Sequence, residues 1–96
     1  MKNKKWQKII MFHGASCPHC HRTMPNVDKL IKEGFKIEKK EVWENEKNAE
    51  EMRKFKDIII PACGDGLGVP AFVDLNKNKA ICGEQTYEEL KEWLEK

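Results

Sequence analysis

The chain reads as an α/β domain, a small mixed four-stranded sheet with three flanking helices in the order β-α-β-α-β-β-α. Two observations predict this. A short apolar run, Ile9 to Phe12, passes through the small-residue turn His13-Gly14-Ala15-Ser16 into a helix opened by Cys17-Pro18-His19-Cys20. A strand, a turn and a helix in that order begin a β-α-β unit, which implies parallel pairing and a right-handed crossover. Two short apolar stretches, Ala71 to Leu75 and Lys79 to Gly83, flank Asn76-Lys77-Asn78 and read as an antiparallel hairpin.

The elements follow in order. The first strand is expected over Gln7 to His13. The first helix is expected from Pro18 to Glu33, ended by Gly34, with Met24, Val27, Leu30 and Ile31 at helical spacing and a kink at Pro25. Phe35 to Val42 begins with strict apolar–polar alternation, so a second strand is expected there, with Trp43 at its end as core or rim. Asn45 is the expected N-cap of a second helix that runs to about Lys56, with Asp57 to Pro61 as an apolar exit from it. Glycines at 64, 66 and 68 make a loop of unusual backbone angles. It is not a phosphate loop, because the G-x-x-x-x-G-K-[ST] pattern is absent. Thr86 with Glu89 three residues later forms a capping box for the last helix, whose buried stripe is Tyr87, Leu90, Trp93 and Leu94.

Composition narrows the function. Ninety-six residues, 40% of them hydrophobic, suit a single globular domain over residues 1–96. No window approaches the ~18 apolar residues of a membrane span. The basic start is followed by an apolar run too short for an export signal, so a cytoplasmic address is expected. A net charge of +2 argues against nucleic acid or an anionic membrane as the main partner. The cluster Lys2, Lys4, Lys5 and Lys8 reads as a solubilising N-terminus. Trp6, Trp43, Trp93, Phe12, Phe55 and Phe72 read as core or rim, with no spacing that suggests a stacking platform for bases.

The chemistry concentrates at Cys17 and Cys20. A thiol at the first turn of a helix sits where unpaired N–H groups and the helix dipole favour negative charge. The thiolate is the reactive species, so Cys17 is the expected attacking nucleophile. Pro18 suits the first turn, where its missing N–H would have no helical partner. Cys20, on the same helix face, can close a disulfide with Cys17 as the resolving thiol. His19 can add positive charge and a hydrogen bond near the Cys17 sulfur, which would stabilise the thiolate and make the pair more oxidising. His13 and His21 read as strand-end and helix-surface residues without a role. A zinc site would need a second close ligand pair. Cys63 and Cys82 are nineteen positions apart with no histidine nearby, so no metal is expected. Those two cysteines can form a second disulfide, relay electrons, or act as small apolar fillers. Cys82 is expected to be packed in a strand. Cys63, seven residues before Pro70, is a candidate auxiliary thiol near the site.

With these residues in view, the chain resembles the thioredoxin superfamily in its minimal glutaredoxin-like form. The resemblance rests on Cys17-Pro18-His19-Cys20 after the first strand, Pro25 eight residues beyond the first cysteine, Val69-Pro70 before the third strand, and Gly83 closing the fourth. Cys-Pro-His-Cys with Gly68-Val69-Pro70-Ala71 looks like the DsbA-type oxidases. It is also similar to the thioredoxin-like domains that serve vitamin K epoxide reductase homologues. The resemblance implies a thioredoxin-like fold in which Pro70 is cis, packs beside Cys17 and Cys20, and presents backbone at Val69 and Pro70 to a substrate peptide while keeping metal off the thiols. The chain has no room for the large helical insertion of the DsbA type, lacks the threonine that precedes Val-Pro in glutaredoxins, and departs from the family in three further places. Met11 stands where thioredoxins carry a buried acid, Ser16 precedes the first cysteine in place of their tryptophan, and Cys82-Gly83-Glu84 replaces the Gly-Gly of glutaredoxins. The last departure argues against glutathione as a dedicated partner.

The expectation is therefore a monomeric thiol–disulfide oxidoreductase without a cofactor, acting on protein disulfides or small-molecule disulfides. A reductase or glutathione would supply its electrons, and neither nucleic acid nor membrane would be a partner. Two other classes compete with it: a non-catalytic thioredoxin-fold binding module, and a metal- or cluster-binding protein that uses the Cys-x-x-Cys pair.

Overall fold

Ile9 to Phe12 are four buried apolar residues in a row, the pattern of a strand covered on both faces. That strand, β1 (Ile9–His13), is central in a four-stranded sheet of order β2-β1-β3-β4. It pairs in parallel with β2 (Ile37–Glu41) and antiparallel with β3 (Ala71–Asp74), which pairs antiparallel with β4 (Lys79–Cys82). The computed structural model describes residues 8–64 and 66–96. Lys2, Lys4, Lys5, Trp6 and the expected strand residue Gln7 lie outside them, as does Asp65.

Because alternate residues of a strand face opposite sides, β1 divides the core in two. Ile9 and Met11, with Phe72, pack under Val27 and Leu30 of α1 (Pro18–Lys32) and Leu90 and Leu94 of α4 (Tyr87–Glu95). Ile10 and Phe12, with Ala71 and Val73, pack under Met52 of α2 (Glu46–Arg53) and Ile59 of α3 (Lys56–Cys63). The topology is thioredoxin-like, as expected.

The expected set of three flanking helices differs in one respect. The second helix ends at Arg53, and residues 56–63 form a helix of their own, so among the described residues four helices flank the sheet. Three isoleucines ahead of a proline read as an apolar exit, since β-branched residues and an internal proline both disfavour helix. Burial offsets the isoleucines' part of this. Ile59 is fully buried and Ile58 partly buried against the sheet, and burying one such side chain contributes about 1.5–3 kcal/mol. That exceeds the propensity cost of a β-branched residue, at most about 0.7 kcal/mol.

The other local signals hold. Gly34, at φ 111°, follows the first helix. The Asn45 side chain accepts from Asn48 N, and Thr86 and Glu89 form the reciprocal capping box. Asn78 takes the left-handed conformation (φ 53°) in the hairpin turn, where Asp74 Oδ1 accepts from the N–H groups of Asn76 and Lys77. The registers place Phe12 opposite Ala71, and Ala71 opposite Cys82. The ends of β1 and β4 and the start of β3 therefore meet at one end of the sheet. Among the described residues, no helix is long and apolar enough to cross a membrane.

Candidate active site

Cys17 lies at that end of the sheet. It is the N-cap of α1 in an extended conformation, and Pro18 follows at the first helical position. Its sulfur is 3% exposed by residue and accepts from the backbone N–H of Cys20 at 3.2 Å, so a helix N-terminal donor points at the atom where charge would collect. The Cys17 thiol points at the Val69 carbonyl oxygen, 3.9 Å away. Cys20, one turn further on, is 1% exposed. Burial first, and then its hydrogen bond with Cys17, pushes its thiol up to about 12. Both cysteines are free thiols. The pair is thus asymmetric, with one sulfur at a backbone donor and one held as a neutral thiol.

The turn before Cys17 is fixed from across the sheet. Glu41, at the end of β2, accepts from the N–H of Ala15 at 2.8 Å and from those of Trp43 and Glu44 at 2.9 Å. Desolvation favours its neutral form, but these donors outweigh it and hold the carboxyl below the usual range. Trp43 is 54% exposed, so it is rim and not core, and its indole lies on Gly14 so closely that a β-carbon there would overlap the ring. His21 bonds the Ala15 carbonyl through Nε2 at 3.0 Å, so it braces the turn that the sequence left it free of. Burial holds the half-buried His13 imidazole below its ordinary value, against the pull of Glu41.

His19 is exposed and clamped from the far end of the chain. Its Nδ1 lies 3.1 Å from Glu84 Oε1 and 3.0 Å from an Arg22 guanidinium nitrogen, and Arg22 Nε reaches both Glu84 oxygens at 3.1 and 3.2 Å. These bonds from His19 and Arg22 hold the Glu84 carboxyl below the usual range. A single ring nitrogen serves one partner at a time. Protonated, it donates to Glu84; unprotonated, it accepts from Arg22.

The Val69–Pro70 peptide bond is cis and Pro70 is buried, and the Pro70 carbonyl accepts from Gly83 N at 2.8 Å. The structure therefore gathers Cys17, Pro18, His19, Cys20, Val69 and Pro70 at one place. Cys63 is not a free auxiliary thiol; of the alternatives for the second pair the structure has the disulfide, and Cys82 is packed in β4 against the core as expected. The two are bonded to each other as a half-buried disulfide between the end of α3 and the end of β4. Among the described residues, no group of three or more His, Cys, Asp or Glu side chains is placed to hold a metal ion.

Glu41, Trp43, Arg22 and Glu84 carry no signal of their own in the sequence. Each reaches the site only through strand register or a loop return. The nearest clue is Gly14, whose missing side chain marks a close approach. No protein-family model matches the chain, and no curated protein matches it.

Proposed function

We propose that the protein is a thiol–disulfide oxidoreductase that acts on protein or small-molecule disulfides through Cys17 and Cys20. The observation that carries this is the asymmetry of the pair beside the carbonyl of Val69, the residue before the cis proline. Cys17 sits at a helix N-terminus under a backbone N–H, and Cys20 is buried and held protonated.

In the reducing direction the Cys17 thiolate attacks one sulfur of a substrate disulfide. The S–S bond breaks, a Cys17–substrate bond forms, and the departing sulfur leaves as a thiolate that takes up a proton. Cys20 then attacks the Cys17 sulfur, its proton going to the second substrate sulfur as that leaves. Two thiols of the enzyme have become a disulfide and the substrate disulfide two thiols. Oxidation runs the same steps backwards. Cys20's raised pKa favours release of the mixed disulfide only once the leaving sulfur can accept its proton.

Val69 and Pro70 offer backbone beside the sulfur for an extended peptide, and the resemblance to the thioredoxin superfamily supports that role. A monomer needing no cofactor fits these steps, with a reductase or glutathione returning the electrons. The cytoplasmic expectation favours net reduction, whereas the histidine between the cysteines and the Cys63–Cys82 bond favour oxidising conditions, where disulfides persist. The potential of the Cys17–Cys20 pair in a glutathione buffer decides the direction. A value near −270 mV marks a reductase, and one between about −180 and −120 mV an oxidase or isomerase. If Cys17 and Cys20 form no disulfide in that titration, the proposal fails.

A further inference from the structure

The segment that meets Cys17 is held by the other pair of cysteines. The Cys63 sulfur lies 3.8 Å from the Gly68 carbonyl, a contact without a proton because the sulfur is bonded to Cys82. A β-carbon on Gly68 would stand 3.6 Å from both sulfurs, so the backbone there rests on the disulfide. The next carbonyl, Val69, is the one facing the Cys17 thiol. On the other side, Ala71 pairs with Cys82, and the Pro70 carbonyl takes the N–H of Gly83. The four residues 68–71 are thus gripped by Cys63, Cys82 and Gly83. By contrast, no described atom lies within 4 Å of where a side chain would start at Gly64 or Gly66, so the approach to this segment has little packing of its own.

We infer that Cys63–Cys82 is a second redox site, whose oxidation state sets how well Val69 and Pro70 receive the substrate of Cys17. The inference rests on the oxidoreductase reading of Cys17 and Cys20. Both residues are half-buried, and a small dithiol is the reductant the inference names. Such a dithiol passes two electrons and two protons to the bond, leaving thiols at Cys63 and Cys82 and becoming a cyclic disulfide itself. Non-bonded heavy atoms sit about 3.5–4 Å apart, so the freed sulfurs separate and Gly68, whose carbonyl lies against the Cys63 sulfur, shifts. Cys17 keeps the Cys20 N–H at its sulfur, a contact within its own helix, so its intrinsic reactivity changes little while the Val69 carbonyl moves and substrate docking weakens.

The test compares the chain carrying an intact Cys63–Cys82 bond with the Cys63→Ala/Cys82→Ala variant, both with Cys17 and Cys20 reduced. Exchange with a disulfide-bonded reporter peptide and alkylation of Cys17 by iodoacetamide are measured on each. The expected result is that kcat/KM for exchange falls by about tenfold or more, the scale of a sub-ångström to ångström misplacement, while Cys17 alkylation changes by less than about twofold. Should the variant lose its far-UV circular dichroism, the fully phosphine-reduced native chain provides the open form instead. Equal or faster exchange by the open form overturns the inference and leaves the oxidoreductase standing, and so does a fall in alkylation that matches the fall in exchange. Exchange by neither form overturns the oxidoreductase itself, and this inference with it.

Discussion

The two cysteine pairs meet at the same end of the sheet and have opposite characters. Cys17 and Cys20 are three residues apart on one helix, free, and set at a charge-favouring helix N-terminus. Cys63 and Cys82 are nineteen apart, on a helix end and an edge strand, and bonded. A short loop in the first pair makes bond formation a matter of one side-chain rotation, which suits repeated opening and closing. The long loop in the second ties α3 to β4 across the segment that carries the cis proline. In the proposed reading the first pair carries out exchange, and the second holds the segment beside it.

The largest expected contrast is in turnover. Replacing Cys17 by Ser removes the nucleophile and brings disulfide exchange to its uncatalysed rate, whereas Cys20→Ser leaves attack intact and accumulates the mixed disulfide, seen as a mass adduct on Cys17. If Cys20→Ser instead abolishes adduct formation, the two roles are reversed.

Next comes stability. Closing a loop of about twenty residues stabilises by about 3 kcal/mol in the chain-entropy account, so urea unfolding of Cys63→Ala/Cys82→Ala should show a loss of that order. The bond between Cys17 and Cys20 closes a far shorter loop, and reducing it should cost clearly less. Equal losses would erase the distinction between the pairs.

A loss of about 1–3 kcal/mol is expected for Gly14→Ala, which drives a methyl group into the Trp43 indole. The double change Gly14→Ala/Trp43→Ala should recover part of it, and additive losses in unfolding would place the conflict elsewhere.

The last effect, spread over the range from pH 9 to about 12, is on pH dependence. Cys20 titrates at about 12 in the fold against an ordinary 9.0. Above pH 9 the unfolded reduced chain gives up a proton that the folded chain keeps, so the unfolded state gains and stability falls. The stabilisation is fully present below pH 9 and is lost as pH rises toward 12. The fall should be roughly 1 kcal/mol per pH unit, seen by urea unfolding of the reduced protein with Cys63–Cys82 intact. Oxidising Cys17 and Cys20 should remove this part of the fall, since neither then titrates, and leave the pH dependence that Lys40, Lys79, Tyr87 and Lys91 contribute.

Much of this was legible in the amino-acid order because the relevant interactions are local. The apolar run at Ile9 to Phe12, the alternation at Phe35 to Glu38, the caps at Asn45 and Thr86, and the thiols at the start of a helix all depend on residues within four positions of one another. The cis bond before Pro70 was reached through a resemblance, since most X-Pro bonds are trans. Tertiary structure decided the rest. The partner of Cys63, the helix at residues 56–63, the bracing of Ala15 by Glu41 and the clamp of Glu84 on His19 span separations of up to 65 residues or depend on burial. No local period encodes such pairings. They follow from strand register, which brings the ends of β1, β3 and β4 together, and from the burial of Ile59, which offsets the preference of the isoleucines.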